Sequence, residues 1–194
     1  MSISKKKNVN TESGATSVAP DLVKAGFSQS FIDRFAGPEE ESERDYAGAA
    51  MTIATNALAM RAKSRGELAA QLKRRGIPLD VANDVLDRLE RSKLINDLDF
   101  ARAWSKSRLS SKKISKMVLA RELRMKEVSE ENILIALEEI SSDDEYEAAL
   151  QLGERKARSL QNYDEDVRTR RITSALARKG YNYGIISRVL KEVC

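Results

Sequence analysis

Two short stretches, "LKRRGI" (residues 72–77) and "LARKGY" (residues 176–181), share one frame: leucine, three residues, glycine, then an apolar or aromatic residue. Their glycines, Gly76 and Gly180, stand 104 residues apart. A copy midway would carry its marker near residue 128. The stretch "LRMKEV" (residues 123–128) keeps the frame, with Glu127 in the glycine's place, at spacings of 51 and 53. Neighbouring positions obey the same register. Four residues before each leucine stand Leu68, Leu119 and Ile172; thirteen after each marker stand Leu89, Ile140 and Val193. Nine and ten after it stand Val85–Leu86, Ala136–Leu137 and Val189–Leu190. Agreement at so many positions identifies a threefold repeat of about 52 residues, and a repeat constrains a fold more than any local propensity.

Within each copy the apolar spacing is helical: Leu68, Leu72 and Ile77 share a face, as do Leu119, Leu123 and Val128. Ser64 and Glu67 have the spacing of a capping box. Gly76 and Gly180 suit a left-handed residue just past a helix end, whereas Glu127 there costs about 1 kcal/mol or ends its helix differently. A further helix follows each marker, "LDVANDVLDRLER", "EENILIALEEI" and "NYGIISRVLKEV", and another precedes it, "YAGAAMTIATNALAMRA", "DLDFARAWSKSRL" and "DEYEAALQLGERKARSL". The expected fold is all-α: three tandem three-helix repeats stacked into an elongated, curved array, since a unit this small is marginal alone. The expected division is a flexible N-terminal arm over 1–42 and repeats over 43–95, 96–142 and 143–194. Within the arm, "DLVKAGFSQSFIDRF" has the pattern of a short amphipathic segment at most.

Composition narrows the chemistry. Histidine is absent and the one cysteine is Cys194, so zinc, haem and Cys/His nucleophile chemistry lack ligands and bases. Neither a GxxxxGK[ST] loop nor a GxGxxG turn occurs. No enzyme activity and no cofactor are expected. No apolar run reaches the ~18 residues of a membrane span, and no secretory signal is visible. A cytoplasmic, monomeric protein is expected.

Charge is segregated. Residues 1–49 hold six basic and eight acidic side chains; from Ala50 onward there are 28 and 22. Residues 99–126 carry nine basic and two acidic side chains, and residues 127–147 carry nine acidic and none basic. Such a surface suits DNA phosphate or an acidic protein face at one place and a basic partner at another. The residue before each marker is basic: Arg75, Lys126 and Lys179. A cation in a last helical turn gains about 0.3–1 kcal/mol from the helix dipole, so these three have a structural explanation as good as a functional one. Lys112, Lys113 and Lys116, and then Arg168, Arg170 and Arg171, are expected in or before a first helical turn, where the dipole disfavours them. With Arg65, Arg74, Arg124 and Arg178 these residues make up the candidate basic face. Phe100 and Trp104, four apart, are expected to pack in the core, with base stacking by Trp104 as the alternative; Tyr181 is expected to be core and Tyr183 free.

Three stretches, "NALAMRAKSRGELAAQLKRRGI", "LINDLDFARAWSKSRL" and "VLARELRMKEVSEENILIALEE", resemble the RecX family of bacterial regulators of the RecA recombinase. The resemblance covers residues 50–194. It rests on the Ser-Arg-x-Glu-Leu element at 64–68, the Asn-Asp-x-x-Phe-Ala element at 96–101 and the threefold register. It implies tandem three-helix repeats that bind along the groove of the RecA filament on single-stranded DNA. It also implies inhibition of ATP hydrolysis, strand exchange and co-protease activity. Glu127 and the long N-terminal arm depart from the family pattern. Two other readings stay open on the residues alone: a sequence-nonspecific DNA-binding helical protein, and a helical scaffold for another protein.

Overall fold

The computed structural model describes residues 39–194. Among them are nine α-helices and no strand: α1 (Glu39–Met60), α2 (Arg65–Arg74), α3 (Leu79–Arg91), α4 (Asp97–Lys112), α5 (Lys116–Arg124), α6 (Glu130–Glu138), α7 (Ser142–Ser159), α8 (Glu165–Arg178) and α9 (Tyr183–Val193). They fall into three successive three-helix repeats. The arm expected over residues 1–42, with its amphipathic segment, lies outside the described residues except for the last four, which open α1.

Each repeat closes a core of its own. In the first, the alanine stripe Ala50, Ala54 and Ala57 of α1 packs on Leu68 and Leu72 of α2 and on Val85, Leu86 and Leu89 of α3. Phe100 and Ala101 meet Leu123, Val128, Ile133 and Ala136 in the second, where Ile114, Leu119 and Ile140 form a smaller adjoining cluster. The third gathers Ala149, Leu152, Ile172, Leu176, Tyr181, Ile186 and Val189. The frame leucines Leu72, Leu123 and Leu176 and the residues four before them, Leu68, Leu119 and Ile172, have no solvent exposure. Fully burying each such side chain contributes about 1.5–3 kcal/mol.

All three marker turns end their helices in one way. The amides of Ile77, Val128 and Tyr181 donate to the carbonyls of Leu72, Leu123 and Leu176. Those of Gly76, Glu127 and Gly180 donate to Lys73, Arg124 and Ala177. This is the Schellman pattern, and it requires a left-handed residue at the marker. The φ angles there are 77° at Gly76, 83° at Gly180 and 57° at Glu127. Glu127 therefore keeps the left-handed turn and bears its steric cost.

Three local expectations are revised. Ser64 accepts the Glu67 amide at 3.1 Å, but the Glu67 carboxylate turns to Arg61 and Lys126 instead of back to the serine, so half of the capping box forms. Lys112 ends α4, where the dipole favours a cation, and Lys113 is its left-handed cap. Arg168, Arg170 and Arg171 lie beyond the first turn of α8, which starts three residues before Arg168. Only Lys116 of these six opens a helix.

Candidate functional site

The marker turns of the second and third repeats do more than end a helix. Each docks on the N-terminus of the middle helix of the repeat before it. Between repeats one and two, Ser64 Oγ donates to the Lys126 carbonyl at 2.7 Å, and the Arg65 amide donates to Asp97 Oδ1 at 2.7 Å. Between repeats two and three, the Ser115 amide donates to the Lys179 carbonyl at 3.0 Å, and the Lys116 amide donates to Glu145 Oε1 at 2.8 Å. Ser64 and Ser115, like Arg65 and Lys116, are 51 residues apart. The two junctions thus use equivalent positions, and amides that a helix start leaves without partners are satisfied by the next repeat.

The backbones come so close that one side of each junction must be glycine. A Cβ on Gly66 would lie 2.3 Å from Cβ of Glu127. At the other junction the glycine is in the turn: a Cβ on Gly180 would lie 2.5 Å from Val118 and 2.6 Å from Ser115 Oγ. The position equivalent to Gly66 is Met117, and that equivalent to Gly180 is Glu127. The glycine has changed sides, which is why the middle copy of the repeat is disguised in the sequence.

Lys126 closes the first junction. Its ammonium lies 2.6 Å from Glu67 Oε1 and 4.0 Å from the Trp104 ring centroid. Its side chain is only 16% exposed. Arg108 also lies 4.1 Å from that ring centroid, Phe100 stacks at 5.8 Å, and the indole N–H donates to Glu122 at 2.9 Å. Trp104 is thus engaged by its own fold, as the packing expectation has it. Burial pushes the Glu67 carboxyl up, but hydrogen bonds from Arg61 and Lys126 outweigh burial and hold it at about 2.

The thirteen candidate cations separate by what they touch. Arg65 reaches Asp87 and Glu90 at 2.7 Å each, and Arg124 pairs with Glu130 at 2.6 Å. With Lys126, these serve internal acids. Lys113 Nζ donates to Gln151, and Arg168 donates to the Cys194 carbonyl at 3.4 Å. Arg74 and Arg75 are exposed around the turn of repeat one, Lys112 is exposed at the end of α4, and Lys116 and Lys179 are half-buried at the second junction. Arg170, Arg171 and Arg178 come together. With Lys156 of α7, Ser174 and the apolar floor of Leu160 and Ala175, they line a notch of about 380 Å³ between α7 and α8. Among the described residues none of its four cations has an acidic partner within ion-pairing distance. Arg171 covers the ring of Tyr163 at 4.2 Å. A second concavity, about 440 Å³, mixes Arg102 and Lys106 with Glu139 and Asp144, and Arg102 is already paired with Glu139 at 2.6 Å. Sequence reasoning missed Lys156; its one signal is the basic run of α7, Arg155, Lys156 and Arg158.

Among the described residues no group of histidine, cysteine and carboxylate side chains is arranged to hold a metal, and no helix is long and apolar enough to cross a membrane. What the geometry defines is a tandem three-helix-repeat protein with a cationic notch on its third repeat.

Comparison with known proteins agrees. Models of the first, second and third RecX three-helix domains match residues 50–89, 96–137 and 143–190. The regulatory protein RecX of Streptomyces coelicolor is 39% identical over 152 residues, covering 78% of this chain and 81% of that one. That of Mycolicibacterium smegmatis is 38% identical over 159 residues, covering 78% and 85%. The crystal structure of RecX from Lactobacillus salivarius matches with a TM-score of 0.69 at 21% identity, over 77% of this chain and 97% of that one. A crystal structure of a regulatory protein RecX matches at 0.70 and 18%, over 89% and 87%. The chain belongs to the RecX family.

Proposed function

We propose that this chain is a regulator of a RecA recombinase that lies along the filament formed on single-stranded DNA and suppresses its ATPase, strand-exchange and co-protease activities. It works in the cytoplasm, as a monomer and without catalysis of its own. Membership of a family whose named relatives are regulatory proteins supports the reading. The observation that carries it is the pair of equivalent junctions. They tie three similar units in series through corresponding positions, as suits a partner that itself repeats. Weak contacts from units held in register add into avidity, so one molecule can bridge neighbouring protomers and hold them in a state that does not turn over.

The test is the ATPase rate of the cognate RecA on single-stranded DNA, with this protein added at fewer than one copy per protomer. The expected result is a strong drop at substoichiometric amounts. A drop only near saturation would indicate coating instead of bridging. An unchanged rate, with the helical circular dichroism of a folded chain, would defeat the proposal.

A further inference from the structure

The middle helices of repeats one and two use one face to receive the next repeat's turn, and that face is built for close approach. It carries Gly66 and Glu67 in α2 and Met117 and Val118 in α5, of which Gly66, Met117 and Val118 abut the incoming turn while Glu67 pairs with Lys126. The equivalent positions in α8 are Arg170 and Arg171. Both are exposed, and among the described residues no turn is docked there. The helix has changed as well. Arg168, equivalent to the capping serines Ser64 and Ser115, lies inside α8, where its amide donates to the Asp164 carbonyl at 2.9 Å. A turn docking as in the other repeats would find this amide already used and two guanidinium groups in its way.

A face that merely needed to be soluble would mix charges of both signs. This one adds Lys156 and Arg178 and leaves all four cations unpaired among the described residues. Converging cations in a concave site favour a compact polyanion. Tyr163, 48% exposed beside Arg171, offers a ring at the rim to which a base can stack. We infer that this open junction face of the third repeat is a phosphate-binding site that grips the backbone of a single nucleic-acid strand. Arg170, Arg171, Arg178 and Lys156 hold successive phosphates and Tyr163 contacts an adjacent base. The inference does not rest on the recombinase reading, because the strand alone is sufficient to test it.

The experiment is fluorescence anisotropy of a labelled thymidine 20-mer with the full-length chain across a salt series. Wild type is compared with Arg170→Ala/Arg171→Ala/Arg178→Ala and with a charge-matched control, Lys73→Ala/Arg88→Ala/Arg91→Ala, on the first repeat. All six positions lie on helices at the protein surface and outside the three cores, so both variants are expected to keep the wild-type helical circular dichroism. The notch variant is expected to bind at least about tenfold more weakly at low salt. Its slope of log K against log salt is expected to be shallower by about 2, at ~0.7 for each phosphate left without its cation. The control is expected to stay within about twofold by the same measure. Tyr163→Leu is expected to weaken binding about fivefold with the slope unchanged. Equal losses in the notch variant and control would reduce the effect to net charge and overturn the site. Undiminished strand binding by the notch variant, with RecA inhibition lost, would overturn it in favour of an acidic protein face. No strand binding by wild type at low salt would overturn it outright.

Discussion

Residues 66 and 127 compete for one space, and the pair shows how a single side chain sets the repeat register. Glu127 holds a left-handed φ of 57° that an L-residue tolerates poorly. Its Cβ occupies the volume that a Cβ on Gly66 would need. Glu127→Gly is therefore expected to stabilise the fold by about 0.5–1 kcal/mol, seen as a higher urea midpoint at constant m-value. Gly66→Ala alone is expected to cost about 1–3 kcal/mol through overpacking. In the Glu127→Gly background the part of that cost due to the Glu127 side chain should disappear, while the part due to the Lys126 carbonyl oxygen, 2.9 Å from the added Cβ, should remain. Additive losses in the double-mutant cycle would show that the two residues do not share the space. The frame of the middle copy was legible without its glycine because the surrounding apolar positions kept register. The reason for the missing glycine was not legible, since it lies on a helix 61 residues away in the chain.

At the level of elements, the middle helix of one repeat and the turn of the next form a joint closed by Lys126 and Glu67. Glu67 is held at about 2 in the fold, below the roughly 4.3 of a free glutamate. A depressed carboxyl contributes stability that is fully present above the unfolded value and is lost as pH falls toward the folded one. The difference in urea midpoint between wild type and Glu67→Gln should therefore be largest near neutrality and should shrink from about pH 4.3 toward pH 2. Trp104, the only tryptophan, lies against Lys126 and reports the joint by its fluorescence. A difference that stayed constant over this window would mean that the carboxylate charge does not hold the joint. Helix number, core faces and marker turns were legible because apolar periodicity and left-handed glycines act within a few residues. The joints were not, because their bonds run through backbone amides and carbonyls that any sequence supplies. That also explains the divided fate of the basic face. Local charge counting treats Lys126 and Arg170 alike, yet one neutralises an acid 59 residues away and the other lines an open notch.

For the whole molecule, the question is whether three repeats act as one ligand or as three. If the joints create avidity, loosening one should cost inhibition far more than it costs any local interaction. Ser64→Ala/Glu67→Gln removes the bond from Ser64 to the Lys126 carbonyl and the charge that anchors the Lys126 ammonium, while leaving the notch on the third repeat intact. Removing both should cost about 2–3 kcal/mol, part of it the cap that Ser64 gives the Glu67 amide and the rest coupling between the repeats, within what a folded three-core chain tolerates. The expected outcome is a split. The amount of protein needed to halve the RecA ATPase should rise roughly tenfold or more as the repeats lose their fixed spacing, while thymidine 20-mer binding should stay within about twofold. An unchanged ATPase titration would mean that a single repeat carries the inhibition and that the joints serve stability alone. A matching fall in strand binding would place the strand across the first joint instead of at the notch. Separating the two readouts in one variant therefore tests the array as an array, because only a multivalent ligand loses function when its units keep their surfaces but lose their spacing.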